Sequence, residues 1–222
     1  MLTQLKAELI IETAQRLSER IGERFPNSGL LRVSHQLIAE AHSAETTAPT
    51  LAQPQWWLRI ALVLFILLAV VVTVTGMFNM HIEEDITDFA FFIQILEPAL
   101  NVIVFAAAAL IFFVTIETRI NRRRVLPALH QLRSLAHIID MHQLTKDPER
   151  LQKPILTPSS PKMEMGPFEL NRYLNYCSEM QSLTGKIAAV YAQHFSDAVV
   201  LSAVNEIESL TTGLSRKIWQ KI

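Results

Sequence analysis

Hydrophobic and polar positions divide the chain into stretches of different period. In residues 2–25, Ile10, Ala14, Leu17 and Ile21 recur at steps of three and four and form one face of an amphipathic helix. The turn 26-PNSG-29 ends it, and a second, shorter helix is predicted from Leu30 to His42. The stretch 43-SAETTAPTLAQPQ-55 is small, polar and proline-bearing, and reads as a linker.

Two apolar runs follow. The first, 56-WWLRIALVLFILLAVVVTVTGMF-78, holds about 23 residues, enough at 1.5 Å per residue to cross a hydrocarbon core of about 30 Å. Trp56 and Trp57 suit a membrane interface, and Arg59 can extend to the same surface. The second run extends from Phe89 to Ile116 and is longer than one crossing needs, so it must tilt, project from the bilayer, or begin along its surface. The first run starts after a polar amphipathic segment and a second run follows it, which argues against a cleavable signal peptide.

Beyond the second run a helix is expected to continue through the arginines to Leu126. Pro127 then opens a new helix or bends a continuous one, and helix extends to Leu144. Residues 145–167 carry five prolines and form a connection rather than regular structure. Two long helices complete the chain. One runs from Phe168 to Phe195, with an apolar stripe through Leu170, Leu174, Cys177, Ala188, Tyr191 and Phe195. The other runs from Asp197 to the end, through Val200, Val204, Ile207, Leu214 and Ile218. Ser196 or Asp197 supplies its N-cap, and so short a junction implies an antiparallel hairpin. No strand pattern and no internal repeat is visible.

The expected fold is therefore an all-α membrane protein, a two-span transmembrane hairpin with a cytoplasmic helical bundle built from N- and C-terminal helices. The chain divides into N-terminal amphipathic helices (1–45), a linker (46–55), a first span (56–79), a short external loop (80–88) and a second span (89–117). A cytoplasmic helix (118–144), the proline-rich connection (145–167) and a C-terminal helical hairpin (168–222) follow.

Charge sets the orientation. The net charge of -1 hides a loop, 80-MHIEEDITD-88, with four acids and no lysine or arginine, whereas residues 117–222 hold fourteen Lys/Arg against ten acids. Arg119, Arg122, Arg123 and Arg124 stand directly after the second run, at the expected membrane surface. Basic residues stay cytoplasmic, so both termini are placed in the cytoplasm, which fits a bacterial inner membrane best. Nucleic acid is not an expected partner, because the basic residues are already accounted for by topology and no aromatic stacking positions are interleaved with them. The single cysteine, Cys177, cannot form an internal disulfide and sits in an apolar stripe as a core residue.

Two polar constellations carry candidate chemistry. Gln94, Glu97 and Asn101 share one face of the second run, within about 60° on a helix of 100° per residue, and the face continues through Val104, Ala108 and Thr115. Thr73 and Thr75 of the first run lie at similar depth. Glu97 is open to three readings. Glu97 and Pro98 can mark the true start of the crossing helix, with the carboxylate at the interface. The stripe can be a helix–helix seam. Or Glu97 lies within the bilayer and marks an ion or proton path, which two spans per chain can line only in a homo-oligomer.

The second constellation is His130, Arg133, His137 and Asp140, which fall on one face of the helix after Pro127. Two imidazoles, a guanidinium and a carboxylate suit a small anionic or nucleotide ligand, a pH response, or plain interhelical ion pairs. A metal at His137 and Asp140 is a lesser option. No glycine-rich phosphate loop, HExxH or nucleophile elbow is present, so no enzyme, cofactor or metal centre is expected. The basic amphipathic end, 211-TTGLSRKIWQKI-222, can touch anionic lipid, fold back on a neighbour, or remain a solvated helix end.

The order of parts is similar to the SLATT-type effectors of bacterial nucleotide-dependent conflict systems, over the hairpin at 56–116 and the helix leading from it. The resemblance is architectural and carries no residue motif. It implies a protein that perforates or depolarises the membrane on a cytoplasmic signal. The leading expectation is thus an oligomeric inner-membrane effector or channel-like protein. Its cytoplasmic bundle would sense a ligand or protein partner through the His130 face and alter hairpin packing through the helix 98–126, with Glu97 and Asn101 lining the passage. A membrane-anchored scaffold or adaptor without conduction is the alternative. A membrane-tethered metal- or phosphate-binding enzyme is a remote third.

Overall fold

A computed structural model describes residues 4–79, 88–148, 158–159 and 165–222, and among these the chain is all-α. Six helices follow one another: α1 (Ala7–Arg24), α2 (Gly29–Leu51), α3 (Trp56–Asn79), α4 (Asp88–Leu144), α5 (Pro167–His194) and α6 (Ala198–Trp219). They form two compact units. One comprises Met1–Gln53 and Arg122–Ile222, and the other Pro54–Asn121. The expected acidic loop at 80–88 and most of the proline-rich connection at 145–167 lie outside the described residues.

The first unit has a complete core of its own. Leu17 and Ile21 of α1, Leu30 and Leu37 of α2, Leu129 and Leu132 of α4, Leu174 and Ile187 of α5, and Val200 and Ile207 of α6 belong to one buried cluster. Phe25, just past α1, closes one end of it with its ring 5.4 Å from Tyr173 and 6.4 Å from Tyr176, both edge-on. Cys177 is fully buried in this core. The amphipathic faces read from the sequence are the faces that pack, because each helix has one apolar stripe to remove from water.

α2 departs from expectation. It does not stop near His42 but runs on to Leu51 through Pro49, so most of the expected linker is helix. Ala41, Ala44, Ala48 and Leu51 are all buried and continue the stripe of Leu30, Val33 and Leu37 at steps of three and four. That packing outweighs the proline, which removes one N–H bond within three residues of the helix end. The N-cap is Ser28, whose hydroxyl accepts from the Leu31 N–H at 3.2 Å.

α4 is one helix of 57 residues. Pro127 sits inside it rather than at a new start. The same holds for Pro98: α4 starts nine residues before Glu97, at Asp88, so Glu97 and Pro98 do not form the first turn of a helix, as one of the three readings had it. Proline in mid-helix costs one backbone bond, and the long apolar stretches on both sides of Pro98 keep the helix in register.

The second unit contains α3 and the N-terminal part of α4. Two helices of the chain are long and apolar enough to cross a membrane, and only 6% of each apolar window is buried. Val63, Leu64, Leu67, Leu68, Ile111 and Phe112 are among the exposed apolar side chains, an arrangement suited to a lipid solvent rather than water. Small residues recur among the covered positions. Ala61 and Ala69 of α3 and Ala106 of α4 are partly buried, as are Leu62 and Ile66, and Ala109 is buried together with Leu58 and Asn121. Small residues let two helices approach closely in lipid.

Candidate functional site

α6 pairs with the arginine and the aspartate of the histidine-bearing face of α4. Arg133 forms an ion pair with Glu206, and the Asp140 carboxylate lies 3.7 Å from Lys217 Nζ. Asp140 also accepts from Gln143 Nε2 at 2.5 Å. Closer to the apolar stretch, Arg122 donates Nε–H and Nη2–H to the two oxygens of Asp197 at 2.8 and 2.7 Å. Residue numbers rise together along this set, and Lys221 Nζ adds a bond to the Gln143 carbonyl at 3.2 Å, so α6 runs parallel to α4. Of the expected four residues, Arg133 and Asp140 belong to this seam, while His130 and His137 stay exposed.

Asp197 has two tasks. Its Oδ1 caps α6 by accepting from the Val199 and Val200 N–H groups at 3.1 and 3.3 Å, and both oxygens receive Arg122. The Arg122 hydrogen bond is the main reason its carboxyl is held below the usual aspartate range, and the two backbone donors act in the same direction. Arg122 is raised for the same cause. The sequence groups Arg122 with Arg119, Arg123 and Arg124 as a membrane-surface cation. It is paired with Asp197 at the start of α6, while the other three remain exposed.

A groove of about 470 Å³ lies between the two helices, lined by Leu126, Leu129, His130, Arg133, Val199 and Glu206. It offers one imidazole and an arginine whose charge is already met by Glu206. An anion would have to displace that carboxylate, so the arrangement suits a structural ion pair better than a ready-made anion site. Among the described residues, no group of three His, Cys, Asp or Glu side chains is placed to hold a metal ion.

α5 packs antiparallel to α4. Gln181 is buried and donates Nε2–H to the Ala136 carbonyl at 2.7 Å, and Lys146 lies over the Tyr173 ring at 5.6 Å. Burial lifts the Cys177 thiol to about 12, which leaves it neutral and unreactive. His142 packs against the start of α2. Its ring lies so near Gly29 that a Cβ there would collide with it. The C-terminal segment 211–222 folds back on α4 through Lys217 and Lys221, although Trp219 stays exposed.

Of the polar stripe, the side chains of Gln94 and Glu97 lie outside the described set. Asn101, Ala108 and Thr115 are exposed, about 80–120° around α4 from the buried Ala109. These three positions thus lie off the small-residue side that carries Ala106 and Ala109. Thr73 and Thr75 donate their hydroxyls to their own helix, at Ala69 O (2.9 Å) and Val71 O (2.8 Å).

Glu117 belongs to neither sequence constellation, yet it joins the two helices of the hairpin. Its Oε1 accepts from the Gln55 N–H at 3.2 Å, placing a carboxylate at the start of α3, and Gln55 Nε2 donates to Asn121 Oδ1 at 3.3 Å. A glutamate closing the second apolar run opposite the start of the first was the available signal. No family model, no curated protein and no solved structure matches the chain.

Proposed function

We propose that the protein anchors a helical interaction module at a membrane, with α3 and the apolar part of α4 as the two spans and the bundle of α1, α2, α5, α6 and the end of α4 as the working part. The carrying observation is the contrast between the units. One leaves its Val, Leu, Ile and Phe side chains exposed, and the other encloses a complete core. A lipid solvent supports the first arrangement and water the second. The exposed Arg119, Arg123 and Arg124 beside the second apolar run favour a cytoplasmic bundle in a bacterial inner membrane.

The scaffold reading leads because the polar face of α4 is engaged with α6. No described group stands ready for catalysis, and the module's chemistry is that of packing surfaces. An oligomeric effector that alters bilayer permeability is the second reading, favoured by the outward face carrying Asn101.

Reconstitution into vesicles loaded with a pH-sensitive dye separates the two. A scaffold leaves the proton leak at the level of empty vesicles. A protein-dependent leak abolished by Asn101→Leu would replace it with the effector.

A further inference from the structure

We propose that α4 carries a docking face for a second copy of this chain, centred on Asn101 and running through Val104, Ala108, Ile111 and Thr115. The proposal rests on the membrane reading above.

Three observations converge on it. The first is the unmet amide. Asn101 is exposed, and among the described residues no hydrogen bond reaches its side chain. Its neighbours Leu100, Ile103, Val104 and Phe105 are exposed apolar groups, so in a bilayer the amide is surrounded by hydrocarbon. An amide left unpaired there is costly, and neither lipid tails nor α3 supplies a partner.

The second is the spacing. Gln94, Asn101, Ala108 and Thr115 stand seven residues apart, and Glu97, Val104, Ile111 and Thr118 follow the same period. A seven-residue repeat keeps one face turned toward a partner helix in a left-handed crossing, with polar or small residues at the closest positions. Thr115 fits such an interface because its hydroxyl already donates to the Ile111 carbonyl at 2.7 Å.

The third is direction. The small-residue side bearing Ala106 and Ala109 is the covered one, whereas Val104, at 59% exposed, and Ile111, at 67%, are open. The repeat therefore does not restate the hairpin's internal packing. A primary amide is both donor and acceptor, so the group that best completes Asn101 is another Asn101 related by symmetry. This self-complementarity selects a second copy over an unrelated helix.

Cysteine cross-linking in membranes tests it. Ala108→Cys is predicted to give a disulfide-linked dimer with copper-phenanthroline as oxidant, and Leu110→Cys, exposed about 160° around the helix from Ala108, is not. The otherwise unchanged chain is the blank, because Cys177 is buried. Adding Asn101→Leu to Ala108→Cys lowers the cross-linked fraction by about threefold, the loss expected for one interhelical bond in lipid. Equal cross-linking at both positions, or none at either with the protein still in the membrane fraction, overturns the docking face and leaves the anchor intact. Protein missing from the membrane fraction overturns the anchor and the docking face together.

Discussion

Arg122 and Asp197 meet side-on through two hydrogen bonds of 2.8 and 2.7 Å, and the same aspartate caps α6. The start of the last helix is thereby fixed to α4 a few residues past the apolar run. Asp197→Ala removes both the cap and the pair and destabilises the helical unit by about 1 kcal/mol for the cap alone. Asp197→Asn keeps a capping oxygen and costs less. Chemical denaturation in detergent orders the variants.

The pair also sets an acid response. The Asp197 carboxyl titrates below the ordinary aspartate value in the folded chain, chiefly through Arg122. Its stabilisation is full above the unfolded value of about 3.9 and disappears as pH falls through the lower folded value. The stability gap between the native sequence and Asp197→Asn stays constant from neutral pH to about 5 and closes below about 4. A gap independent of pH would show that the charge does not matter.

Gly29 and His142 form a second junction. The ring occupies the space of a Cβ, so Gly29→Ala destabilises by about 1–3 kcal/mol through overpacking although alanine favours helix. In the His142→Ala background the cost falls to near zero, and a double-mutant cycle measures the coupling. Burial first, then Arg32 and Lys146, lower the folded His142 value. The unfolded chain therefore binds the proton first, and stability declines as pH falls through about 6.5. His142→Gln removes that decline.

Cys177 reports on global opening. With its thiol buried and raised to about 12, labelling by a thiol reagent at mildly alkaline pH is slow and follows unfolding. Labelling as fast as a free cysteine would contradict the packing of α5.

Ala48 tests the unexpected length of α2. It is fully buried in the core, so Ala48→Glu destabilises the helical unit by about 2 kcal/mol or more. A linker position would tolerate the change.

Helices, their apolar faces and the two membrane-length runs were legible in the sequence, because these depend on local periodicity in Ile10, Leu17, Leu174 or Val204. The end of α2 was hidden, since alanines at 41, 44 and 48 carry the core stripe through residues that look like a polar linker. Asp197 was legible as a cap, but its pairing with Arg122 was not, since the partners are 75 residues apart and their meeting depends on α6 lying parallel to α4. The His130 face was legible as a polar face. Its occupation by Glu206 and Lys217 could not be foreseen, because exposed charges have no periodicity that names their partners. Glu117 was legible only by its place at the end of the second apolar run, opposite the start of the first.

Alkaline carbonate extraction of membranes from a bacterial host expressing the full chain tests the central claim most directly. The chain is predicted to stay in the pellet and to leave it only with detergent, because α3 and the apolar part of α4 are long and apolar enough to cross a membrane and leave their side chains exposed. Recovery in the soluble fraction as a folded protein without detergent would contradict the two-span anchor and every functional reading built on it.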